Sequence, residues 1–178
     1  MLETTKEAQV SLEAALRCRL AKRRVVALCG VGNEIRGDDG AGVAVINALE
    51  ETGLDRGDVV LINCGDMPEN FLGRLVELQP SHIVFIDAAD LGAPPGAVSI
   101  IEIDEVGAYC TSTHGLPLSF LAAYLQRETN ADLFIIGIQP GSLAFGDSLT
   151  TEVAATVKAV GELLRKILFV EPGDELHA

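Results

Sequence analysis

Two aspartates and one histidine are the residues of this sequence with the clearest capacity for chemistry. Asp39 lies in a polar, glycine-rich loop, Asp87 ends an apolar run, and His114 lies just before a run with helical character. Two carboxylates and one imidazole can form an open coordination site for a divalent metal such as nickel, zinc, iron or manganese. A calcium site, which uses oxygen ligands, would leave the histidine unused. The residue types therefore predict a mixed nitrogen and oxygen site, provided that the fold brings them together.

Four further residues in the same loops are candidates to support that site. They are Gly32, Asn33, Asp38 and Asp90. Asp38 and Asp39 precede a predicted helix, where an aspartate can accept hydrogen bonds from free backbone N–H groups, so we expect one of the pair to cap that helix. Asp87 could instead close a turn, and His114 could make a purely structural hydrogen bond. A lone buried carboxylate is costly unless it is paired, hydrogen-bonded or bound to a metal, which favours a partner for Asp87.

The glycine-rich loop also invites comparison with a dinucleotide-binding turn. In the run from Gly30 to Gly37, the third glycine arrives two residues later than the pattern G-x-G-x-x-G requires. Asp38 and Asp39 then occupy the positions at which a phosphate would need helix N–H groups, and two carboxylates repel a pyrophosphate. A nucleotide cofactor is therefore the less favoured interpretation.

Alternating apolar and amphipathic runs define the elements that must position these residues. Short, β-branched apolar runs predict buried strands at 25–30, 58–63, 82–87, 97–103 and 132–139. Helical spacing of apolar residues predicts helices at 4–21, 41–52, 68–78, 116–128 and 148–169. Ser148 is the expected N-cap of the last helix.

This alternation predicts an α/β fold, a three-layer α/β/α sandwich on a five-stranded, mostly parallel sheet with an added N-terminal helix. The connection that leads to strand 97–103 is too short for a parallel crossover, so that strand is expected to be antiparallel or to lie at an edge. Ligands of open α/β sheets bind beyond the carboxyl ends of the strands, which is where Asp39 and Asp87 are expected. We expect one domain, with a helical extension at 1–22, a catalytic core at 25–169 and a loose tail at 170–178.

Composition disfavours several classes of partner. The 178 residues include 13 basic and 26 acidic side chains, a net charge of −13, and both nucleic acid and anionic membrane surfaces require a basic face. No apolar run is long enough to span a membrane, and the N-terminus lacks the apolar core of a secretory signal. The four cysteines form no CxxC pair, which is typical of reduced thiols in a cytoplasmic protein.

Four motifs, taken together and in order, resemble those of one protein family. They are GVGNEIRGDDGAG at 30–42, IDAADLGAPPG at 86–96, TSTHGLPL at 111–118 and GIQP at 137–140. The chain resembles the hydrogenase maturation endopeptidases over roughly residues 25–165, and in particular the group that processes the large subunit of formate-hydrogenlyase-type hydrogenase. The resemblance implies an α/β/α fold. It also implies removal of a short C-terminal extension from a nickel-iron hydrogenase large-subunit precursor after nickel insertion.

The same resemblance implies roles for the candidate residues. The acidic residue of the first motif, the aspartate of the second and the histidine of the third correspond to Asp39, Asp87 and His114, which would recognise nickel carried on cysteines of the substrate. It also implies that the free protein holds no tightly bound metal, and it places Asp38 outside the metal set. The N-terminal extension and the tail have no counterpart, which leaves substrate docking and the oligomeric state open.

Peptide hydrolysis requires an activated nucleophile, and the sequence leaves its identity open. We favour attack by water, with a carboxylate of the Asp39 and Asp87 pair as base or positioner and nickel as template or Lewis acid. Other candidates, with His114 as base, are the thiolates of Cys64 and Cys110 and the hydroxyls of Ser112 and Ser119. The alternative function is a non-enzymatic chaperone that binds nickel or the precursor on the same fold.

Overall fold

The computed structural model describes residues 12–54, 57–109 and 117–169, and contains one five-stranded sheet in the order β2-β1-β3-β5-β4. The strands are β1 Val26–Val31, β2 Val59–Gly65, β3 His82–Ala88, β4 Val98–Glu102 and β5 Asp132–Ile138. β1 runs parallel to both β2 and β3, and β3 runs parallel to β5. β4 is an antiparallel edge strand on β5, so the prediction drawn from the short preceding connection is confirmed.

The helices agree with the predicted positions, with differences at their ends. They are α1 at 12–20, α2 Ala41–Glu50, α3 Leu72–Leu78, α4 Val106–Tyr109, α5 Leu118–Thr129 and α6 Thr151–Leu168. The predicted helix at 68–78 begins as a 3-10 helix at Pro68–Phe71, and a second 3-10 helix, Gly37–Gly40, lies in the loop after β1. The short helix α4 was not predicted, because four residues are too few to show a helical period. The remaining parts of the predicted extension and the predicted tail lie outside the described residues.

Two apolar cores separate the sheet from its two helical layers. Alternate residues of β1 point to opposite faces, as the period of a strand requires, so Leu28 packs with α2 and α6 while Cys29 packs with α3 and α5. The apolar strands are buried on both sides, which is the property that made them recognisable as unbroken apolar runs. The three-layer α/β/α sandwich is therefore confirmed.

Helix α1 covers the end of the sheet that lies opposite the predicted site. Leu16 and Leu20 are fully buried in the core beside α6. Arg19 extends from the same helix to Asp132, the first residue of β5, with its Nε 2.7 Å from Oδ2 and its Nη2 2.6 Å from Oδ1. The guanidinium also donates to Glu102 at the end of β4. Helix α1 is thus an integral part of the packed structure. Across the described residues, none of the helices combines the length and apolar character needed to span a bilayer.

Candidate active site at the carboxyl edge of the sheet

The turn that carries Asp39 follows β1 and is held by contacts of its own backbone. Gly32 has φ 128°, and a Cβ atom there would lie 1.8 Å from the carbonyl oxygen of Asp39, so only glycine allows this approach. Asn33 N–H donates to Asp39 Oδ2 at 3.0 Å. The carboxylate of Asp39 therefore uses a loop N–H that a nucleotide phosphate would have needed.

Helix α2 begins in direct contact with the end of β3, and this contact brings the two aspartates together. A Cβ atom on Gly42 would lie 1.9 Å from the carbonyl oxygen of Ile86 and 2.5 Å from that of Val31. Glycine at this position lets the start of the helix sit against both strand ends. Because Ile86 precedes Asp87 and Gly42 follows Asp39 closely, the two carboxyl groups come within electrostatic range of one another.

Asp87 is the most strongly perturbed carboxyl group at this edge. Desolvation by the surrounding protein is the main cause that raises its pKa to about 7, and the negative charge of Asp39 raises it further. A hydrogen bond from the backbone of Ala88 opposes both effects. A carboxyl group with a pKa near neutrality can hold a proton or release it at physiological pH, which is the property of a general acid or base.

Asp38, the neighbour of Asp39, holds a loop that is distant in the sequence. Its side chain is fully buried, and its carboxylate accepts four hydrogen bonds: from the backbone N–H groups of Gly141, Ser142 and Thr150, at 2.7, 3.0 and 2.7 Å, and from Thr150 Oγ1 at 2.9 Å. Burial alone would raise the pKa of Asp38, but these hydrogen bonds to the ionised form outweigh it and lower the pKa. Asp38 is thus a structural carboxylate that joins the turn after β1 to the segment before α6.

The two capping predictions are wrong for a related reason. The N-cap of α2 is Gly40, and neither Asp38 nor Asp39 makes a side-chain capping hydrogen bond, since one carboxylate is directed to the distant loop and the other to Asn33. The last helix begins at Thr151 with Thr150 as its N-cap, so Ser148 is not the cap. The carboxylate of Asp38 supplies the acceptor for the Thr150 N–H from another part of the chain.

Asp90 and Gln139 organise the loop after β3. Asp90 is exposed, and its Oδ1 accepts a hydrogen bond from Gly92 N–H at 3.2 Å. Gln139 is buried, and its Oε1 accepts from Leu91 N–H at 2.7 Å and from Ala93 N–H at 3.3 Å. Sequence reasoning missed the role of Gln139, although the residue lies in the quoted GIQP motif. The signal in the sequence is a glutamine at the end of an apolar strand, where a buried amide needs hydrogen-bond partners.

Asn33 extends the polar edge towards β2. Its Nδ2 donates to Asp66 Oδ2 at 3.2 Å, and its Oδ1 accepts from Ile35 N–H at 3.1 Å. Asp66 follows β2 as Asp87 follows the apolar part of β3, so the rule that selected Asp87 could also have selected Asp66. The candidate edge therefore contains a further carboxylate that the prediction omitted.

The remaining candidates are Cys64 in the core, the half-buried Ser119 in α5, and residues that the structure does not describe. Cys64 is buried against Cys29 in the core beneath α3 and α5, and contact with Cys64, followed by burial, raises the pKa of the Cys29 thiol. This environment is poor for thiolate attack by Cys64. His114, Cys110 and Ser112 lie outside the described residues, so their predicted roles stay predictions. Within the described ranges, no three metal-ligating side chains form a group that could hold a metal ion.

Solved structures share both this fold and this arrangement of secondary structure. The crystal structure of a [NiFe] hydrogenase maturation protease HycI from Thermococcus kodakarensis superposes with a TM-score of 0.80 at 34% identity, covering 88% of this chain and 99% of that one. The hydrogenase maturating endopeptidase HybD from Escherichia coli superposes with a TM-score of 0.67 at 26% identity, covering 82% and 92%. Similarity to these proteins places this chain in a class of α/β endopeptidases.

Sequence comparison identifies the family. The model of the hydrogenase maturation protease family matches residues 43–167. The Hydrogenase 3 maturation protease of Escherichia coli strain K12 is 34% identical over 140 residues, which cover 78% of this chain and 87% of that protein. The chain belongs to the hydrogenase maturation protease family.

Proposed function

We propose that this endopeptidase removes the C-terminal extension of a nickel-iron hydrogenase large-subunit precursor after nickel insertion. We further propose that it recognises nickel carried by the substrate through Asp39, Asp87 and His114. The observation that carries the proposal is the pairing of Asp39 with Asp87 at the carboxyl edge, where their mutual repulsion helps to raise the pKa of Asp87. A divalent cation delivered between the two carboxylates would relieve that repulsion.

Nickel enters this scheme as cargo of the substrate. Two carboxylates supply hard oxygen ligands, and a histidine adds a nitrogen ligand that nickel accepts well. Cysteine thiolates of the precursor would complete the coordination. A site that needs ligands from both proteins would distinguish a nickel-loaded precursor from an empty one, and processing would then follow metal insertion.

Hydrolysis is assigned to a water molecule activated by the aspartate pair. In the free protein the pKa of Asp87 is about 7, and near neutral pH its carboxylate can accept a proton from the attacking water and then donate it to the departing amine. Asp39 is held in place by the N–H of Asn33 and can position the same water. The nickel ion can act as a template or as a Lewis acid on the scissile carbonyl. We also propose that the protein works in the cytoplasm, where its thiols would stay reduced.

The test compares a nickel-loaded with a nickel-free large-subunit precursor, using mass spectrometry to detect loss of the C-terminal peptide. We expect cleavage of the loaded precursor only. Asp39→Asn, Asp87→Asn and His114→Ala are expected to lower the rate by at least about a hundredfold. Asp104→Asn, at an exposed turn after β4, serves as the matched control and should cleave at the wild-type rate.

Two results would refute the proposed site: cleavage that does not depend on nickel, or full activity of the three site variants. Single-turnover kinetics would separate the two roles of the metal. If nickel serves only in recognition, Asp39→Asn weakens precursor binding while the rate of the bound complex stays close to that of the wild type. If nickel takes part in the chemistry, the single-turnover rate itself falls.

A further inference from the structure

The loop that Asp38 holds, residues 141–147, presents apolar side chains to solvent beside the turn after β1 that carries Asp39. Phe145 is 79% exposed and Leu143 is 43% exposed. Ile35, at 56% exposure, belongs to the turn after β1 and lies next to this loop, because its carbonyl oxygen accepts a hydrogen bond from Gly146 N–H at 2.8 Å. We call these three residues the apolar rim.

The apolar rim is held in place by hydrogen bonds. Within the loop, Ser142 Oγ donates to Asp147 Oδ2 at 3.0 Å and accepts from Ala144 N–H at 3.3 Å. Gly37 N–H donates to the carbonyl of Asp147 at 3.2 Å, in addition to the four hydrogen bonds made by the Asp38 carboxylate. An aromatic side chain on a loop held in this way loses little backbone freedom when a partner covers it, which favours binding.

The charge of the loop indicates the chemistry of the partner. In a protein of net charge −13, the segment 141–149 contains one charged residue, Asp147, which is hydrogen-bonded to Ser142. Ionic attraction is therefore a minor part of what this segment offers. Exposed aromatic and aliphatic side chains fit an apolar surface, and aromatic residues are enriched at the centres of protein interfaces.

We propose that the apolar rim is a docking surface for the polypeptide substrate, on which an apolar part of the large-subunit precursor near the scissile bond rests. An endopeptidase must bind a polypeptide at its catalytic residues. Asp38 joins the 141–147 loop to the turn of its neighbour Asp39, so a chain bound at Asp39 lies beside the rim. The identity of the occupant rests on the proposed function, whereas the position and rigidity of the rim do not.

The proposal is tested by the affinity for nickel-free large-subunit precursor, which we expect the protein to bind through the apolar rim without cleaving it. We expect Phe145→Ala to raise the dissociation constant by about tenfold, and Leu143→Ala by a smaller factor, as for a central aromatic anchor and its neighbour. With nickel-loaded precursor, Phe145→Ala should raise KM and leave kcat near the wild-type value. Because the side chain is largely exposed, the variant should fold normally.

Phe169→Ala is the matched control. Helix α6 has 18 residues and is about 27 Å long, and Phe169 follows its far end from the Asp38 contact. Phe169→Ala should therefore leave the affinity for the precursor unchanged. Dissociation constants of Phe145→Ala and Leu143→Ala within about twofold of the wild type would overturn the docking proposal, as would wild-type protein that does not bind the nickel-free precursor. Self-association of the wild-type protein that Phe145→Ala abolishes would also overturn the proposal, because it would identify a second copy of this chain as the occupant of the rim. Binding by wild-type protein without cleavage of loaded precursor would refute the proposed function and leave the docking surface standing.

Discussion

The carboxyl group of Asp87 lies within electrostatic range of that of Asp39, and burial, together with the nearby negative charge, raises its pKa to about 7. The two residues are 48 positions apart in the chain and meet because parallel strands end at the same edge of the sheet. A buried carboxyl group with a raised pKa beside a second carboxylate is unfavourable for folding and suitable for chemistry. The predictions below test this relationship and the contacts that maintain it.

Stability should depend on Asp87 in a defined pH range. Its folded pKa of about 7 lies above the unfolded value of about 3.9, so the folded state retains a proton that the unfolded state releases. The contribution of Asp87 to stability is therefore full below about pH 4 and is lost as pH rises towards 7. Urea unfolding at pH 5 and pH 8 should show that wild type loses about 2 to 3 kcal/mol relative to Asp87→Asn over this interval. Parallel pH profiles of the two proteins would contradict the raised pKa, and Asp104→Asn should follow the wild type.

Asp38→Asn should destabilise the fold and loosen the 141–147 loop. An asparagine cannot accept all the hydrogen bonds that the carboxylate accepts, and buried N–H groups are left without partners, so we expect a loss of about 2 to 4 kcal/mol. Thr150→Val removes one of the four hydrogen bonds and should cost about 1 kcal/mol. Urea unfolding measures both effects, and limited proteolysis should show earlier cleavage in the loop of Asp38→Asn. Equal stability of the two variants would show that Asp38 does not hold the loop.

The folded-state pKa of Asp38 is lowered, so the stabilisation it provides has the opposite pH dependence to that of Asp87. It is present above the unfolded pKa near 4 and is lost as pH falls through the lower folded value. In acid, the difference in stability between wild type and Asp38→Asn should therefore become smaller. A difference that stays constant down to pH 3 would contradict this prediction.

Gly42→Ala should move the turn that carries Asp39 away from Asp87 at the end of β3. The added methyl group would meet backbone carbonyl oxygens at 1.9 and 2.5 Å, and backbone atoms of two strands cannot move aside without disturbing the sheet. We expect a loss of about 2 kcal/mol or more and a marked fall in precursor cleavage. Gly73→Ala in α3 is the control, because nothing lies within 4 Å of its added methyl group, and it should be neutral or stabilising by up to about 1 kcal/mol. Equal stability of the two variants would refute the close contact of α2 with β3.

Arg19→Met should weaken the attachment of α1 while the active site is kept. The substitution removes the paired hydrogen bonds to Asp132 and the cation–π contact, in which Cζ lies 4.3 Å from the ring centre of Phe134. Because Arg19 is partly buried and its carboxylate partners would be left unpaired, we expect a loss of about 1 to 3 kcal/mol. Arg127→Met breaks an exposed ion pair with Glu128 and should change stability by less than about 0.5 kcal/mol. Thermal unfolding of the two variants is the measurement, and equal melting temperatures would contradict the role of Arg19.

The sequence was sufficient to predict features that depend on local pattern. Buried strands appear as unbroken apolar runs, so the five strands, their alternation with helices and the antiparallel edge strand could all be predicted. The rule that ligands bind at the carboxyl ends of strands then selected the loops that contain Asp39 and Asp87, and the family resemblance distinguished Asp39 from Asp38. Asp66 and Gln139 were within reach of the same reasoning but were passed over.

The contacts of each carboxylate were decided only by the tertiary structure. Asp38 and Asp39 are identical neighbours in the sequence, yet one binds Thr150, 112 residues further on, and the other lies within electrostatic range of Asp87. The sequence pattern shows the period of a helix or strand. It does not show the direction of a side chain in an irregular turn, or a hydrogen-bond partner that is brought close by long-range packing. By itself, the sequence determined the sheet, its order of layers and the edge at which the chemistry belongs. Packing of Gly42 against β3 and the buried partners of Asp38 determined which side chains face one another there.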